Sequence, residues 1–401
     1  MSSSTTRLFL ILGATVAAGF AGPVVAQQSD SAEASSGVIE ELIVTARRRD
    51  ESLQDVPIAI TAFTGEQLDR IGADTLIAVG QSSPNVTLEV SRGTNTTITA
   101  FIRGVGQQDP VAGFEAGVGL YVDDVYLNRP QAAVLDIYDV DRIEVLRGPQ
   151  GTLYGRNTIG GAIKYVTKSL EDEPEGKVRV SYGTANQMDL VLTGSMPLSD
   201  NIRVGGSIAR LTRDGFGDNL NLPGVENYNK DVLGGRFSME WDVTDNFDLR
   251  LSGDYVQDDS EPKQGHRLTV GAASGAPILD DVFDTRSGLN SPAQDVQASG
   301  IALTANWRLS DSITLRNILS SRSDETTTPI DFDSLPVVDL DVPAIYENEQ
   351  LSNELQMIYE TDRLSGVAGV YWLDANAFNT FDVILGQLGA VLGLPGLNAN
   401  T

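Results

Sequence analysis

The second half of the chain, from residue 176 onward, alternates apolar and polar residues with a period of two. Val178, Val180 and Tyr182 share one face of a predicted strand, and Leu249 and Leu251 share one face of another. This alternation is typical of β-strands whose two faces meet different environments. It predicts nine strands, at residues 176–184, 187–196, 201–213, 229–242, 246–258, 296–309, 312–324, 346–359 and 364–376.

The connections between these predicted strands alternate in length. Four are short, at residues 197–201, 244–246, 309–312 and 359–363, and three are long, at 213–230, 258–296 and 323–345. Short turns on one side and long loops on the other are typical of a transmembrane β-barrel, whose apolar face meets lipid. Trp241 and Trp307 precede short turns, where an interfacial aromatic belt belongs. A β-sandwich, whose polar face meets water, is the alternative.

The first 26 residues have the features of a cleaved signal peptide. Residues 1–7 are polar with one positive charge, residues 8–21 form a small-apolar run, and residues 24–26 (VVA) offer small side chains to a signal peptidase. No apolar run reaches the about 18–20 residues that a spanning helix needs. The sequence therefore predicts an exported protein whose route into a membrane is a barrel. A disordered or buried N-terminal helix is the alternative.

The composition excludes several classes of function. The chain has 55 Asp and Glu against 28 Lys and Arg, and this net charge of −27 repels the phosphates of nucleic acids. With no Cys and a single histidine, His266, no disulfide framework, thiolate metal site or histidine-based catalytic centre is expected. We therefore predict a non-enzyme without a cofactor and without a nucleic-acid partner.

Acidic residues are concentrated in the predicted outer loops. Asp331, Asp333, Asp339 and Asp341 fall within one predicted loop, at residues 323–345. Carboxylates in loops are most often solvated, and this is the interpretation we adopt, so no metal site is predicted. Binding of Ca²⁺ by these oxygens is the alternative.

Residues 27–50 form a polar leader that contains one apolar run. In residues 38–46 (VIEELIVTA) an acidic pair precedes a β-branched segment that has no apolar neighbours in the leader to pack against. Such a segment is suited to adding itself as a strand to the sheet edge of another protein. Equally, it is suited to being the first strand of the domain that follows.

Residues 51–168 are predicted to form a compact α+β domain. Strands are predicted at residues 56–63, 85–90, 98–103, 118–122, 141–146 and 162–167, and helices at 64–71 and 74–79. Residues 118–128 (VGLYVDDVYLN), residues 140–168 (VDRIEVLRGPQGTLYGRNTIGGAIKYVTK) and the IRG sequence at 102–104 closely resemble the plug of TonB-dependent outer-membrane receptors. Tyr165 departs from the family pattern, in which a small aliphatic residue or Asn is usual, and is expected to be harmless.

The resemblance implies a function and a set of partners. Leu42, Ile43, Val44, Thr45 and Ala46 resemble the TonB box, which the TonB energy-coupling complex of the inner membrane grips. Family barrels close with about twenty-two strands, so the nine predicted strands amount to part of a barrel and the chain to a truncated receptor. The implied activity is import of a scarce small molecule, a ferric siderophore, across the outer membrane. Alternatives are uptake of cobalamin or an oligosaccharide, or signalling.

The resemblance also implies how the plug is held and where a ligand binds. Arg103 and Arg147 are expected to belong to an ionic lock between plug and barrel wall, with Glu240 or Glu354 as partners of Arg147. Glu144 is counted with the lock and is also placed to pair with Arg142 within the plug. Solvation, or pairing inside the plug, is the alternative for these charges.

Two plug loops are expected to face the ligand. The first, at residues 107–114, contributes Gln107, Gln108, Asp109 and Phe114, and the second, at residues 129–133, contributes Arg129. A purely structural role for either loop is the alternative.

Overall fold

A computed structural model of the protein describes residues 42–400, except residue 74 and residues 92–95, 134–139, 272–274, 290–292 and 394–396. The predicted signal peptide at residues 1–26 and the leader up to residue 41 lie outside the described residues.

The described part of the chain begins with a domain of short strands and helices, here called the N-terminal domain. Its strands are Ile43–Val44 (β1), Glu51–Ser52 (β2), Ala59–Thr64 (β3), Val86–Val90 (β4), Ile98–Ile102 (β5), Val105–Gln107 (β6), Val118–Val122 (β7), Val125–Leu127 (β8), Val140–Arg147 (β9) and Gly161–Thr167 (β10). Its helices are Gly65–Arg70 (α1), Leu76–Gln81 (α2) and Gly151–Tyr154 (α3).

The central sheet of this domain has five strands in the order β3-β9-β10-β7-β8, and β10 runs parallel to β7. Ile143, Val145 and Ile163 point to one face, where they pack with the apolar sides of α1 and α2. Leu146 and Ala162 point to the opposite face and join a second apolar cluster. Because both faces are covered, the apolar residues of these strands do not simply alternate, and the consecutive residues Val145 and Leu146 are both buried.

The predicted α+β elements of residues 51–168 are all present, with ends shifted by a few residues. The helix predicted at residues 64–71 begins with a capping box: the hydroxyl of Thr64 accepts from the backbone N–H of Gln67 at 3.2 Å, and the Gln67 side chain accepts in return at 3.1 Å. The short elements β2, β6, β8 and α3 were not predicted.

The second half of the chain forms one antiparallel sheet in which neighbouring strands follow the chain order. Its ten strands are Glu175–Tyr182 (β11), Met188–Ser199 (β12), Ile202–Arg213 (β13), Lys230–Thr244 (β16), Phe247–Asp258 (β17), Asp295–Ser310 (β18), Ile313–Asp331 (β19), Leu340–Glu360 (β20), Ser365–Leu385 (β21) and Leu397–Asn400 (β22). A small hairpin, Gly217–Asp218 (β14) with Glu226–Asn227 (β15), and the helix Gln387–Val391 (α4) lie in connections.

All nine strands predicted from the alternation are present, and the short strand β22 is an addition. The connection predicted at residues 323–345 is wrong, because β19 continues to Asp331 and β20 begins at Leu340. Ile330, Val342, Ala344 and Tyr346 form a buried apolar cluster there, which stabilises the extra length of this hairpin.

The two faces of the large sheet differ as the alternation predicts. Leu303 on β18 pairs with Leu319 on β19, and their side chains are 38% and 42% exposed on the outer face. Arg250 and Thr304 point the other way, into a cavity beside the N-terminal domain. None of the helices in the described part of the chain is long and apolar enough to cross a membrane.

Candidate functional site

The segment at residues 42–46 is packed into the N-terminal domain. Ile43 and Val44 pair with Ser52 and Glu51 in a two-stranded sheet, and the side chains of Val44 and Ala46 are fully buried. The buried cluster around them includes Tyr121, Tyr126, Leu146 and Tyr154, which lie far away in sequence. The expectation that this run has no local core is therefore wrong, and in this conformation it is the first strand of the following domain.

Thr45 is held by charged side chains of two neighbouring strands. Its backbone N–H donates to Glu144 Oε1 at 2.9 Å, and its hydroxyl and carbonyl oxygens accept from Lys164 Nζ at 2.5 and 3.2 Å. Glu144 on β9 and Lys164 on β10 are directly opposite in the register, and both are almost completely buried. We call this arrangement of Glu144, Lys164 and Thr45 the clasp.

Arg142 lies at the edge of the clasp and contacts two of its residues, Glu144 and Thr45. Its Nε donates to Glu144 Oε1 at 2.8 Å, which confirms the predicted pair within the domain, and its Nη2 donates to the Thr45 hydroxyl at 3.3 Å. Glu144 therefore belongs to the clasp rather than to a contact with the large sheet. Burial lowers the pKa of Lys164, but the carboxylates of Asp124 and Glu144 more than offset it and raise this pKa above its ordinary value, so the amine stays charged.

Arg48, three residues beyond Thr45, connects the segment to the large sheet. Its guanidinium is 3% exposed and lies 2.9 Å from Asp124 Oδ1 and 3.7 Å from Glu354 Oε2 on β20. It also lies over the ring of Tyr154, at 4.4 Å from the centroid. The backbone of Arg48 has φ 63°, a left-handed conformation that costs a non-glycine residue about 1–3 kcal/mol.

Asp124 is shared between two cations. Lys164 Nζ lies 3.0 Å from the same oxygen that Arg48 contacts. Burial raises the pKa of the Asp124 carboxyl, but Lys164, Arg48 and Arg316 together hold it well below its ordinary value. The N-terminal segment, the clasp and the large sheet are thus joined by one charge network. Arg48 was not among the predicted site residues, although the run of three arginines at residues 47–49 directly after the apolar segment was a signal for it.

The predicted lock residues have other partners. Arg147 Nη1 donates to the carbonyl oxygen of Pro84 at 3.2 Å, and neither Arg147 nor Arg103 forms a salt bridge with any described residue. Glu354 pairs with Arg48. Glu240 pairs with Arg203 and Arg250 at 3.5 and 3.8 Å, within the large sheet. The predicted pairing of Arg147 with Glu240 or Glu354 is therefore wrong, because the arginines nearest these carboxylates come from elsewhere.

In two further contacts between the N-terminal domain and the large sheet, the arginine belongs to the sheet. Arg250 Nη2 lies 3.6 Å from Asp123 Oδ2 and donates to the Thr167 hydroxyl at 2.7 Å. Arg236 Nη1 donates to the Tyr165 hydroxyl at 2.7 Å and lies over its ring. Tyr165, which the sequence analysis treated as a harmless departure, is therefore a contact residue.

The loop at residues 107–114 is held by hydrogen bonds from Arg129 to its backbone carbonyl oxygens. Arg129 donates to the carbonyl oxygens of Phe114, Pro110 and Val111, and it is buried. Its two Nη groups are used by the loop, so Arg129 supports this loop, and its contact with a ligand stays a prediction. Gln107 Oε1 accepts from the N–H groups of Gln108 and Asp109, and Phe114 is half exposed. Contact of Gln107, Gln108, Asp109 and Phe114 with a ligand stays a prediction.

A cavity of about 490 Å³ separates the clasp from the large sheet. Charged side chains dominate its lining, with Asp124 and Lys164 on one side and Glu240, Arg250 and Arg316 on the other. Such a lining holds water, so the domain contacts the sheet through a few discrete pairs rather than through a continuous apolar interface.

Residues 52–162 match the family described as TonB-dependent Receptor Plug Domain. This range contains the five-stranded sheet except most of β10, together with α1, α2 and α3. This part of the chain is therefore a plug domain of the TonB-dependent receptor family. The N-terminal domain is the plug, and the ten-stranded sheet has the fold of part of such a receptor's barrel wall and does not close on itself among the described residues.

Similar proteins share both parts. The chain is 26% identical over 292 residues to the ferrioxamine B receptor of Salmonella typhimurium, covering 70% of this chain and 39% of that protein. It is 22% identical over 229 residues to a vitamin B12 transporter of Vibrio vulnificus, covering 55% of this chain and 36% of that protein. The crystal structure of the ferric yersiniabactin uptake receptor from Yersinia pestis superposes with a TM-score of 0.69 at 18% identity, covering 82% of this chain and 50% of that one.

The chain thus spans half or less of the length of these proteins. Members of the family are receptors of the bacterial outer membrane and are not enzymes, which places this chain in that membrane and outside the enzyme classes. The outer apolar face of the wall is then the face that meets lipid.

Proposed function

We propose that the chain serves TonB-dependent import of a ferric siderophore across the outer membrane, with residues 42–46 as the segment that the TonB complex grips. The observation that carries this proposal is the clasp: an apolar segment at the start of the plug is held by buried charges that connect, through Arg48, to the barrel wall. The family and the ferrioxamine B receptor among its relatives support the class of cargo. Residues 1–26 serve as the cleaved export signal in this proposal.

The energetics of the clasp explain why an energy source is needed. Burial of a side chain such as Val44 contributes about 1.5–3 kcal/mol, and each hydrogen bond to a charged group contributes about 1.5–3 kcal/mol. Thr45 makes several bonds of this kind. The docked segment is therefore stable by several kcal/mol, and thermal motion alone rarely presents it to a partner.

Withdrawal of the segment changes the contact between plug and wall. Arg48 follows Ala46 by two residues, so a pull that extracts residues 42–46 draws the guanidinium away from Asp124 and Glu354. The left-handed backbone at Arg48 relaxes at the same step. Strand addition by TonB thus loosens one plug–wall pair while it forms main-chain bonds to the extracted segment.

The coupling role is tested by Val44→Pro, which removes a backbone donor from the segment. We expect uptake driven by the energised inner membrane to be lost while ligand binding to whole cells is retained. Ala34→Pro, the same change in the polar leader, is the matched control and should leave uptake intact. Unchanged uptake by Val44→Pro would place the coupling segment elsewhere.

The cargo is tested in a strain that depends on this receptor, supplied with ⁵⁵Fe-labelled hydroxamate, catecholate or mixed siderophores, or with labelled cobalamin. Uptake of one of the iron chelates is the expected result. Cobalamin uptake is the second candidate function, because a vitamin B12 transporter is among the relatives. Cobalamin uptake without any iron chelate would establish that candidate and reject the first.

A further inference from the structure

The hairpin of β19 and β20 carries four aspartates at its outer end. Asp331 is the last residue of β19 and is directly opposite Asp341, near the start of β20, in the register, while Asp333 and Asp339 lie in the connection between the strands. Asp331, Asp339 and Asp341 are 5%, 6% and 0% exposed, so the expectation of solvated loop charges is wrong. The folded hairpin, rather than a long loop, brings these carboxylates together.

Three of the carboxylates converge. Asp331, Asp333 and Asp341 each contribute one carboxylate oxygen, and these three oxygens lie within 4.8 Å of one another. Backbone donors fix the side chains: Asp331 Oδ1 accepts from the N–H groups of Asp333 and Ser334, and Asp341 Oδ2 accepts from that of Asp339. The carboxylates are therefore oriented before any ligand arrives.

A second, independent observation concerns the remaining oxygens. Asp331 Oδ2 and Asp341 Oδ1 are buried and accept no hydrogen bond from the described residues. No described Lys or Arg forms a salt bridge with Asp331, Asp333 or Asp341. Arg267 comes near, but its Nη1 donates to the backbone carbonyl of Asp333. Burial of an unpaired carboxylate is strongly unfavourable, so two adjacent ones require either a bound cation or a shared proton.

We propose that Asp331, Asp333 and Asp341 form a Ca²⁺ site that closes the outer end of the hairpin. Ca²⁺ binds carboxylate oxygens at about 2.3–2.6 Å, so oxygens on opposite sides of one ion are about 5 Å apart and the observed spacing fits a single ion. Mg²⁺ fits less well, because it requires shorter bonds and keeps most of its water. Backbone carbonyl oxygens and water complete the six to eight ligands that Ca²⁺ takes.

The site fastens the loop at residues 332–339 to both strands. Asp333 accepts from the N–H groups of Leu335 and Leu340 through its two oxygens, so an ion held by Asp333 also fixes the path of the loop. Phe332 packs against the buried apolar cluster directly below. Bound Ca²⁺ therefore makes this part of the outer surface rigid, independently of which cargo the receptor imports.

The test is Ca²⁺ titration by isothermal calorimetry of the purified, chelator-treated protein in detergent, with thermal unfolding as a second readout. We expect one ion per chain and a higher unfolding temperature with Ca²⁺. Asp341→Asn should weaken Ca²⁺ binding by more than about tenfold and remove the thermal shift. Asp280→Asn, the same change at an exposed outer-loop position without a described partner, is the matched control and should behave as the unaltered protein.

The competing explanation is a proton shared between Asp331 and Asp341. In that case the unaltered protein binds no Ca²⁺, and Asp341→Asn, which supplies a permanent donor, is at least as stable as the unaltered protein at neutral pH. That pair of results overturns the proposal, as does equal Ca²⁺ binding by Asp341→Asn. Comparison of the two proteins in chelator shows whether the variant is folded, and Asp333→Asn provides a second variant that should also bind Ca²⁺ more weakly.

Discussion

At the scale of single residues, Thr45 determines whether the coupling segment is docked. Its hydroxyl accepts from Lys164 and Arg142 and donates to Glu144, and all of these groups belong to the plug. The resemblance placed Thr45 in the segment that TonB grips but gave it no partner within the plug. The partners come from β9 and β10, and alternation and motif resemblance do not specify which side chains of distant strands meet.

Thr45→Val keeps the shape of the side chain and removes these hydroxyl contacts. The buried charges of Lys164 and Glu144 then lose a partner, which costs about 1–3 kcal/mol. We expect the undocked population of residues 42–46 to rise. Because the chain has no cysteine, a nitroxide attached through Ile43→Cys reports this population by its mobility. Thr87→Val, on an exposed position of β4, is the control, and equal mobility in both variants would contradict the role of the clasp.

Asp124 makes docking of the segment sensitive to acid. The folded-state pKa of Asp124 lies below the ordinary Asp value of about 3.9. Its stabilising contribution is therefore complete above about pH 4 and is lost as pH falls through the lower, folded-state pKa. We expect the label at position 43 to be equally immobile from pH 7 to about pH 5 and to become mobile in stronger acid. In Asp124→Asn this transition should be absent, and its persistence would assign it to another group.

At the scale of elements, each barrel strand must satisfy two environments. Leu303 is on the lipid-facing side of β18 and Thr304 on the side of the internal cavity. Leu303→Arg should lower stability by about 2–4 kcal/mol, as expected for a cation near the middle of the membrane. Thr304→Arg, the same cation one residue along, should be tolerated. The amount of folded receptor in outer membranes, measured after urea extraction, distinguishes the two, and equal loss would mean that the faces are misassigned.

The strands were predictable because their alternation is a local property of the sequence. All nine predicted strands are present, but the predicted loop at residues 323–345 is mostly strand. Tertiary packing decides that region: Ile330 and Tyr346 are buried against each other's strands, and the aspartates that look like loop residues are enclosed at the end of the hairpin. Composition alone favoured a solvated loop, since it carries no information about this burial.

At the scale of the whole molecule, the plug and the wall are joined by two kinds of ion pair, one with the arginine on the plug and one with the arginine on the wall. Arg48 of the plug contacts Glu354 of the wall, and Arg250 of the wall contacts Asp123 of the plug. The resemblance correctly led us to expect an ionic contact between the two parts, but it named Arg147, which contacts Pro84 within the plug. Pairing across two separately folded parts depends on their docking, which no motif within either part encodes.

A double-mutant cycle separates these two arginines. Arg48→Ala and Glu354→Ala remove the two ends of a close pair, so their effects on docking of the segment should be coupled by about 0.5–3 kcal/mol. Arg147→Ala and Glu354→Ala have no shared contact, and their effects should be additive. The free energies come from the mobile and immobile populations of the label at position 43 in each single and double variant.

Arg48→Lys retains the charge but loses the planar guanidinium that lies over Tyr154. Its free energy of docking the segment should fall between those of Arg48→Ala and the unaltered protein. Additivity of Arg48→Ala with Glu354→Ala, together with coupling of Arg147→Ala to Glu354→Ala, would return the lock to Arg147 and leave Arg48 with a role inside the plug alone.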